Sequence, residues 1–244
     1  AALREDTALV TLMMVNNETG AVTDIAGVAR ALRAAKSRAL LHTDAVQGFM
    51  KEPFSAKTLG ADMISVSGHK VHAPKGIGAL YIRQGLKLPA HILGGGQEEG
   101  MRSGTEPMPQ IAAFGEAVRI AKAEMPEANK RMEALRAQCV QTLTDTVPDI
   151  VFLGGGSAHI LSLSLPGYRS EVLMNYLEAK GIYVSKSSAC KRGKRSHVLE
   201  AIGAPDKVID GALRVSFSRY TTEAECSAFC EALAAARREL YPSL

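Results

Sequence analysis

Ala8-Leu9-Val10-Thr11-Leu12-Met13-Met14-Val15 is an apolar run that stops on the polar trio Asn16-Asn17-Glu18. A run of this length bounded by polar residues reads as a buried strand. Asp24 to Lys36 follows with Ile25, Val28, Ala29 and Leu32 at helical spacing, and Ala39 to Leu41 is the next strand. Leu59 to Val66 and Gly78 to Ile82 continue the series. Strands separated by helices of this length specify an α/β layer with a mainly parallel sheet. In such a sheet the residues that directly follow the strands gather at its carboxyl edge, where ligands bind. Here those residues are Asn16-Asn17-Glu18, Asp44 and Ser67-Gly68-His69-Lys70.

The rest of the chain reads differently. Pro89 to Pro109, with Gly94-Gly95-Gly96, Gly100 and Gly104, is a long functional loop, and Gln110 to Thr144 is a long amphipathic helix that bridges to a second domain. Strands near Ile150–Leu153, Ile160–Leu165, Ile182–Ser185 and Ala212–Phe217 then alternate with helices over Ser170–Lys180, His197–Ile202 and Thr222–Leu240, an α+β order. There is no internal repeat. Ala1 to Thr7 leads straight into a core strand, so the chain is expected to begin inside a longer polypeptide.

At 244 residues and 46% hydrophobic composition the chain can bury a substantial core. The net charge of +4 comes from 29 basic against 25 acidic residues, spread along the sequence apart from Lys191-Arg192-Gly193-Lys194-Arg195. That is too narrow for a nucleic-acid footprint. No apolar run is long enough to cross a bilayer, and Cys139, Cys190, Cys226 and Cys230 fall into neither disulfide nor zinc spacing, so a reducing cytoplasm is the expectation.

The chemistry concentrates after the strands. Pyridoxal phosphate chemistry needs a lysine to hold the aldehyde as an imine, an acid on the pyridine nitrogen and donors for the phosphate. Lys70 alone among the lysines is flanked by a strand, a glycine and a histidine. Asp44 suits the ring nitrogen, because a carboxylate there keeps it protonated. Gln47 lies on the same turn and can donate to the ring hydroxyl, while Ser67 and His69 flank Gly68 and offer donors to a phosphate. The plainer alternative makes Asp44 a strand-end cap and Lys70 a solvated loop residue. Cys226 and Cys230, four apart on the last helix, are better read as packing than as metal ligands. His72, His91, His159 and His197 read as polar loop or cap residues, and Gly154-Gly155-Gly156 as a flexible turn because it precedes a strand.

Five motifs in order carry a resemblance: Asn16-Asn17-Glu18-Thr19-Gly20, His42-Thr43-Asp44-Ala45-Val46-Gln47, Ser67-Gly68-His69-Lys70, Pro74-Lys75-Gly76-Ile77-Gly78-Ala79-Leu80, and Gly94-Gly95-Gly96 leading to Arg102-Ser103-Gly104-Thr105. The chain resembles the cysteine desulfurases of the class V aminotransferase group. That resemblance implies a fold-type I pyridoxal 5'-phosphate enzyme working as a homodimer with shared active sites. Residues 1–110 would be the carboxyl-side part of the large cofactor-binding domain, 111–145 a connecting helix, and 146–244 a small α+β domain carrying a cysteine loop. By the same resemblance Lys70 holds the cofactor, Asp44 pairs with the pyridine nitrogen, Gln47 contacts the ring oxygen, and Ser67 and His69 bind phosphate. Thr105 would reach the phosphate of the other subunit, and Asn17 and Arg214 would hold the substrate carboxylate.

Ser188-Ala189-Cys190 matches the family's catalytic loop. The implied reaction takes the sulfur of L-cysteine onto Cys190 as a persulfide, releases alanine, and passes the sulfur to an acceptor such as an iron-sulfur scaffold or a thio-modification enzyme. Lys191, Arg192, Lys194 and Arg195 would favour the thiolate. Neither nucleic acid nor membrane is expected as a partner. The alternatives are a selenocysteine lyase or class V aminotransferase with an incidental Cys190, or an inactive fragment. Family members are longer on the amino-terminal side, and that portion normally supplies a Gly/Thr phosphate turn and a histidine stacked on the cofactor ring.

Overall fold

The computed structural model describes residues 2–186 and 195–242. They form two compact units, one of Ala1–Val15 with Thr23–Met125, the other of Asn16–Val22 with Pro126–Leu244.

The first unit holds a four-stranded sheet in sequence order: β1 (Leu9–Met13), β2 (Leu40–Asp44), β3 (Met63–Ser67) and β4 (Gly78–Ile82). β1, β2 and β3 run parallel, and β4 returns antiparallel beside β3. Because the first three are parallel, their carboxyl ends share one edge. Between β1 and β2 lies α1 (Ile25–Ala34), capped by the Asp24 carboxylate on the Gly27 N–H at 2.7 Å, with Ile25 and Ala29 buried. Leu41, Ala45, Leu59 and Ile64 add to that core.

Leu59–Val66 is not one strand. Ser55 and Thr58 form a reciprocal cap that starts the single turn α2 (Ala56–Leu59), which Gly60 ends at φ +72°, and only then does β3 begin. The second strand runs three residues further than its apolar part, so His42, Thr43 and Asp44 lie within β2 rather than beyond it.

The long helix α3 (Met108–Thr146) contains Pro126 at the division between the units. The second unit has an antiparallel sheet in the order β5-β6-β8-β7, made of β5 (Val151–Leu153), β6 (Ile160–Ser164), β7 (Ser185–Lys186) and β8 (Ala212–Ser216). Its helices are α4 (Ser170–Glu178), α5 (His197–Ala201), α6 (Asp206–Asp210) and α7 (Glu223–Glu239). α6 was not expected from the sequence, and of Ile182–Ser185 only Ser185 enters a strand. Leu135, Cys139 and Leu143 from α3, Leu161 and Leu163 from β6, Leu173 and Leu177 from α4, and Phe229 and Leu233 from α7 make one core. Cys226 and Cys230 belong to it, and among the described residues no group of three His, Cys, Asp or Glu side chains is placed to hold a metal ion. No helix among the described residues is long and apolar enough to cross a membrane.

Candidate active site

Asp44 is the last residue of β2 and Ser67 the last of β3. The parallel register sets Asp44 opposite Ser65, and neighbouring strands lie about 4.8 Å apart. The two strands therefore deliver a carboxylate and a hydroxyl to adjoining positions on one edge. Asp44 Oδ1 accepts the Val46 N–H at 2.9 Å and so fixes the turn that follows. The strand-end-cap reading of Asp44 is thus true of one carboxylate oxygen. Gln47, in that turn, is buried.

After β3 the chain enters a one-turn 3-10 helix, Gly68–Val71, that carries His69 and Lys70. Gly68 is required here by close approach, since a Cβ would stand 2.8 Å from Ile77 Cγ2 and 3.1 Å from Ala73 Cβ. Its N–H donates to the Ile77 carbonyl at 2.9 Å, which closes the loop between β3 and β4. Ser67 Oγ and His69 Nδ1 lie 2.7 Å apart. Lys70 is half-buried rather than solvated, and its carbonyl accepts a hydrogen bond from Lys51 Nζ at 2.8 Å. Partial desolvation, then the charges of Lys70, Lys75 and Lys51, hold the His69 imidazole below its usual value. Those three cations make the turn a favourable place for an anion.

Thr105 is exposed in the loop that leads to α3. That loop is tied by a bridge between Ile92 and Arg102 and by the Ser103 N–H on the Ile92 carbonyl at 3.0 Å.

In the second unit, Asn16 Oδ1 accepts the Glu18 and Thr19 N–H groups, each at 2.9 Å. Asn16 is thus the cap of this turn. Arg214, on β8, donates from Nη1 to the Asn17 carbonyl at 2.8 Å. The two residues expected to hold a substrate carboxylate are therefore neighbours, joined through the Asn17 main chain.

Three features here had not been picked out from the sequence. Lys51 reaches the lysine-bearing turn across 19 residues. Buried Glu18 accepts a short hydrogen bond from Ser196 Oγ, and Ser196 also caps α5 through the Leu199 N–H at 3.1 Å. Arg195 is paired with both Asp206 and Asp210 at 2.8 Å. Cys190 itself, with Lys191, Arg192 and Lys194, lies outside the described residues. His159 lies in the turn before β6, as expected of a loop residue, but is buried there, with Nδ1 2.5 Å from Ser157 Oγ.

The class-V aminotransferase family matches residues 1–229. Cysteine desulfurase 2 of Trichormus variabilis is 43% identical over 230 residues, 92% of this chain and 57% of that protein. The cysteine desulfurase IscS of Tolumonas auensis is 43% identical over 233 residues, 92% of this chain and 56% of that protein. Among solved structures, a NifS-like protein superposes with a TM-score of 0.90 at 38% identity, covering 98% of this chain and 63% of that one. The chain thus spans somewhat under three fifths of the length of these curated relatives. The mixed, mainly parallel sheet with its helices agrees with the expected fold-type I architecture. With that match running through both units and across the strand ends that carry Asp44 and Lys70, the chain belongs to the class-V aminotransferase family.

Proposed function

We propose that this chain carries the main catalytic parts of a pyridoxal phosphate-dependent L-cysteine desulfurase. The observation that supports this most is the delivery of Asp44 and the Lys70 turn to adjoining carboxyl ends of two neighbouring parallel strands. The relatives named cysteine desulfurases support the same substrate. The donor set suits pyridoxal 5'-phosphate: a carboxylate, an amide, a hydroxyl beside an imidazole, and an amine on a turn that Ile77 and Ala73 pack closely behind Gly68. When bound, the cofactor supplies an electron sink for the negative charge that develops on substrate carbon.

The chain's own groups do the rest. Asp44 would hold a proton on the ring nitrogen, and Gln47 would donate to the ring oxygen. Ser67 and His69 bind the phosphate, with Thr105 serving the site of a second copy in a homodimer. Lys70 Nζ would hold the aldehyde carbon of the cofactor, and the same amine would take the proton from the substrate α-carbon. Arg214 and Asn17 bind and orient the substrate carboxylate. Cys190 Sγ, as thiolate, attacks the substrate sulfur; an S–S bond forms as the C–S bond breaks, its electron pair stays with carbon, and protonation there yields alanine. The persulfide then passes to an acceptor protein, an iron-sulfur scaffold or a thio-modification enzyme, in the cytoplasm.

Reconstitution with pyridoxal 5'-phosphate tests this. Expected are a near-visible absorbance band that Lys70→Ala abolishes, and a Cys190→Ser variant that keeps the band and loses sulfide release from L-cysteine. Sulfide release retained by Cys190→Ser would favour the selenocysteine lyase or aminotransferase reading, and a protein that takes up no cofactor would favour an inactive fragment.

A further inference from the structure

Lys51 is the residue near this site that the reaction as described leaves unused. It follows the turn after β2, in a segment with Phe49, Met50, Pro53 and Phe54, and its side chain is half-buried. Its ammonium does not reach toward solvent. Nζ donates to the main-chain carbonyl of Lys70 at 2.8 Å, tying the turn after β2 to the turn after β3.

Two consequences follow from that one contact. The hydrogen bond pins the peptide from which the Lys70 side chain departs. It also sets a second cation within a few ångström of Lys70 in a poorly solvated place, and like charges so placed disfavour each other's protonated form. We propose that Lys51 is a positioning residue for Lys70, which fixes its main chain and uses its own charge to make the Lys70 amine give up its proton more readily. Only the neutral amine attacks a carbonyl, and a lysine beside another cation is an established way to supply it.

The surrounding charges are consistent with this. Burial first, and the Lys70 charge second, bring the Lys51 ammonium down to about 8, while Glu52 acts the other way and helps keep it charged. The interaction is mutual while both groups are charged, so below about pH 8 Lys51 disfavours the Lys70 ammonium in turn. His69 and Lys75 belong to the same cationic group, since Lys70, Lys75 and Lys51 all lower His69.

This inference rests on the proposed function only for the identity of Lys70 as the cofactor-bearing amine. The test uses the cofactor-free chain: competitive acetylation across pH 6–11, with the extent at Lys70 and Lys51 read by peptide mass spectrometry. Lys51→Gln keeps a donor for the Lys70 carbonyl and removes the charge, whereas Lys51→Arg keeps both. Below pH 8, where Lys51 is charged, acetylation of Lys70 should fall by about three- to tenfold in Lys51→Gln and stay near the parent extent in Lys51→Arg. A second variant is independent of how position 51 tolerates change: in Lys70→Gln the Lys51 midpoint should rise by about half to one pH unit. Unchanged Lys70 acetylation below pH 8 in Lys51→Gln, an equal fall in Lys51→Arg, or an unmoved Lys51 midpoint in Lys70→Gln would each overturn the proposal. A parent chain that binds no pyridoxal phosphate would overturn the proposed function and leave these midpoints just as informative.

Discussion

Lys51 holds its proton against burial and against Lys70, with Glu52 partly offsetting both, and its pKa falls from the ordinary 10.5 to about 8. The sign of the effect on stability follows. Between pH 8 and 10.5 the unfolded chain keeps this proton while the folded chain sheds it, so stability rises with pH across that window. Below about pH 8 the contribution is level. Urea denaturation should therefore show the parent gaining on Lys51→Met from pH 8 to 10, at most about 1.4 kcal/mol per pH unit. A constant difference over that range would mean that the ammonium is not buried as described. This lysine could not be found in the sequence, because a cation after Phe49 and Met50 falls in a turn with no periodicity to mark its direction. Asp44, Ser67 and Lys70 could be found, because each ends or follows an apolar run. The pairing of Glu18 with Ser196 joins residues 178 apart and leaves no local trace.

Elements with a cap or a long period were the legible ones. α7 begins at Thr222, whose hydroxyl accepts the Glu225 N–H at 3.3 Å while the Glu225 carboxylate accepts the Thr222 N–H at 2.8 Å. This is the Thr-x-x-Glu box that sequence alone advertises. Thr222→Ala should lower stability by about 1 kcal/mol, with Thr222→Ser close to the parent, as measured by thermal unfolding. An unchanged midpoint in the alanine variant would show that packing of Phe229, Leu233 and Ala236 fixes the helix without its cap. α2 and α6, of four and five residues, are too short to show a helical period. Leu59 was therefore absorbed into the following apolar run. α3 was expected over Gln110–Thr144 and extends two residues further at each end, passing through Pro126. Proline there removes an N–H that would have bonded to the Lys122 carbonyl, so the helix persists through its other contacts rather than through propensity.

On the scale of the whole molecule the two sheets differ in how they are covered. Every residue of β6 is buried, and α3, α4 and α7 contribute to the core it belongs to. β1 and β4 are edge strands whose side chains are largely exposed, with Leu9 and Leu80 each 49% accessible. A groove of about 760 Å³ further opens the first unit, lined by Phe49, Phe54, Ile64, Val66, Leu80 and Met125 among others. Apolar burial is the main term that holds a sheet closed, and amides open at a free energy set by the burial around them. Hydrogen exchange should accordingly rank the strands. Amides of β6 and β8 exchange slowest, at the rate of global opening, and those of β1 and β4 exchange faster by at least tenfold, with β2 and β3 between. The ranking is open to a direct check in the variant Leu163→Ala, which removes a fully buried side chain from β6. That change should cost about 2–5 kcal/mol and speed β6 and β8 exchange sharply, while β1 and β4, already opening locally, shift little. Equal acceleration in all four strands would mean that the two sheets open as one cooperative body, and the difference in coverage would then have no bearing on stability.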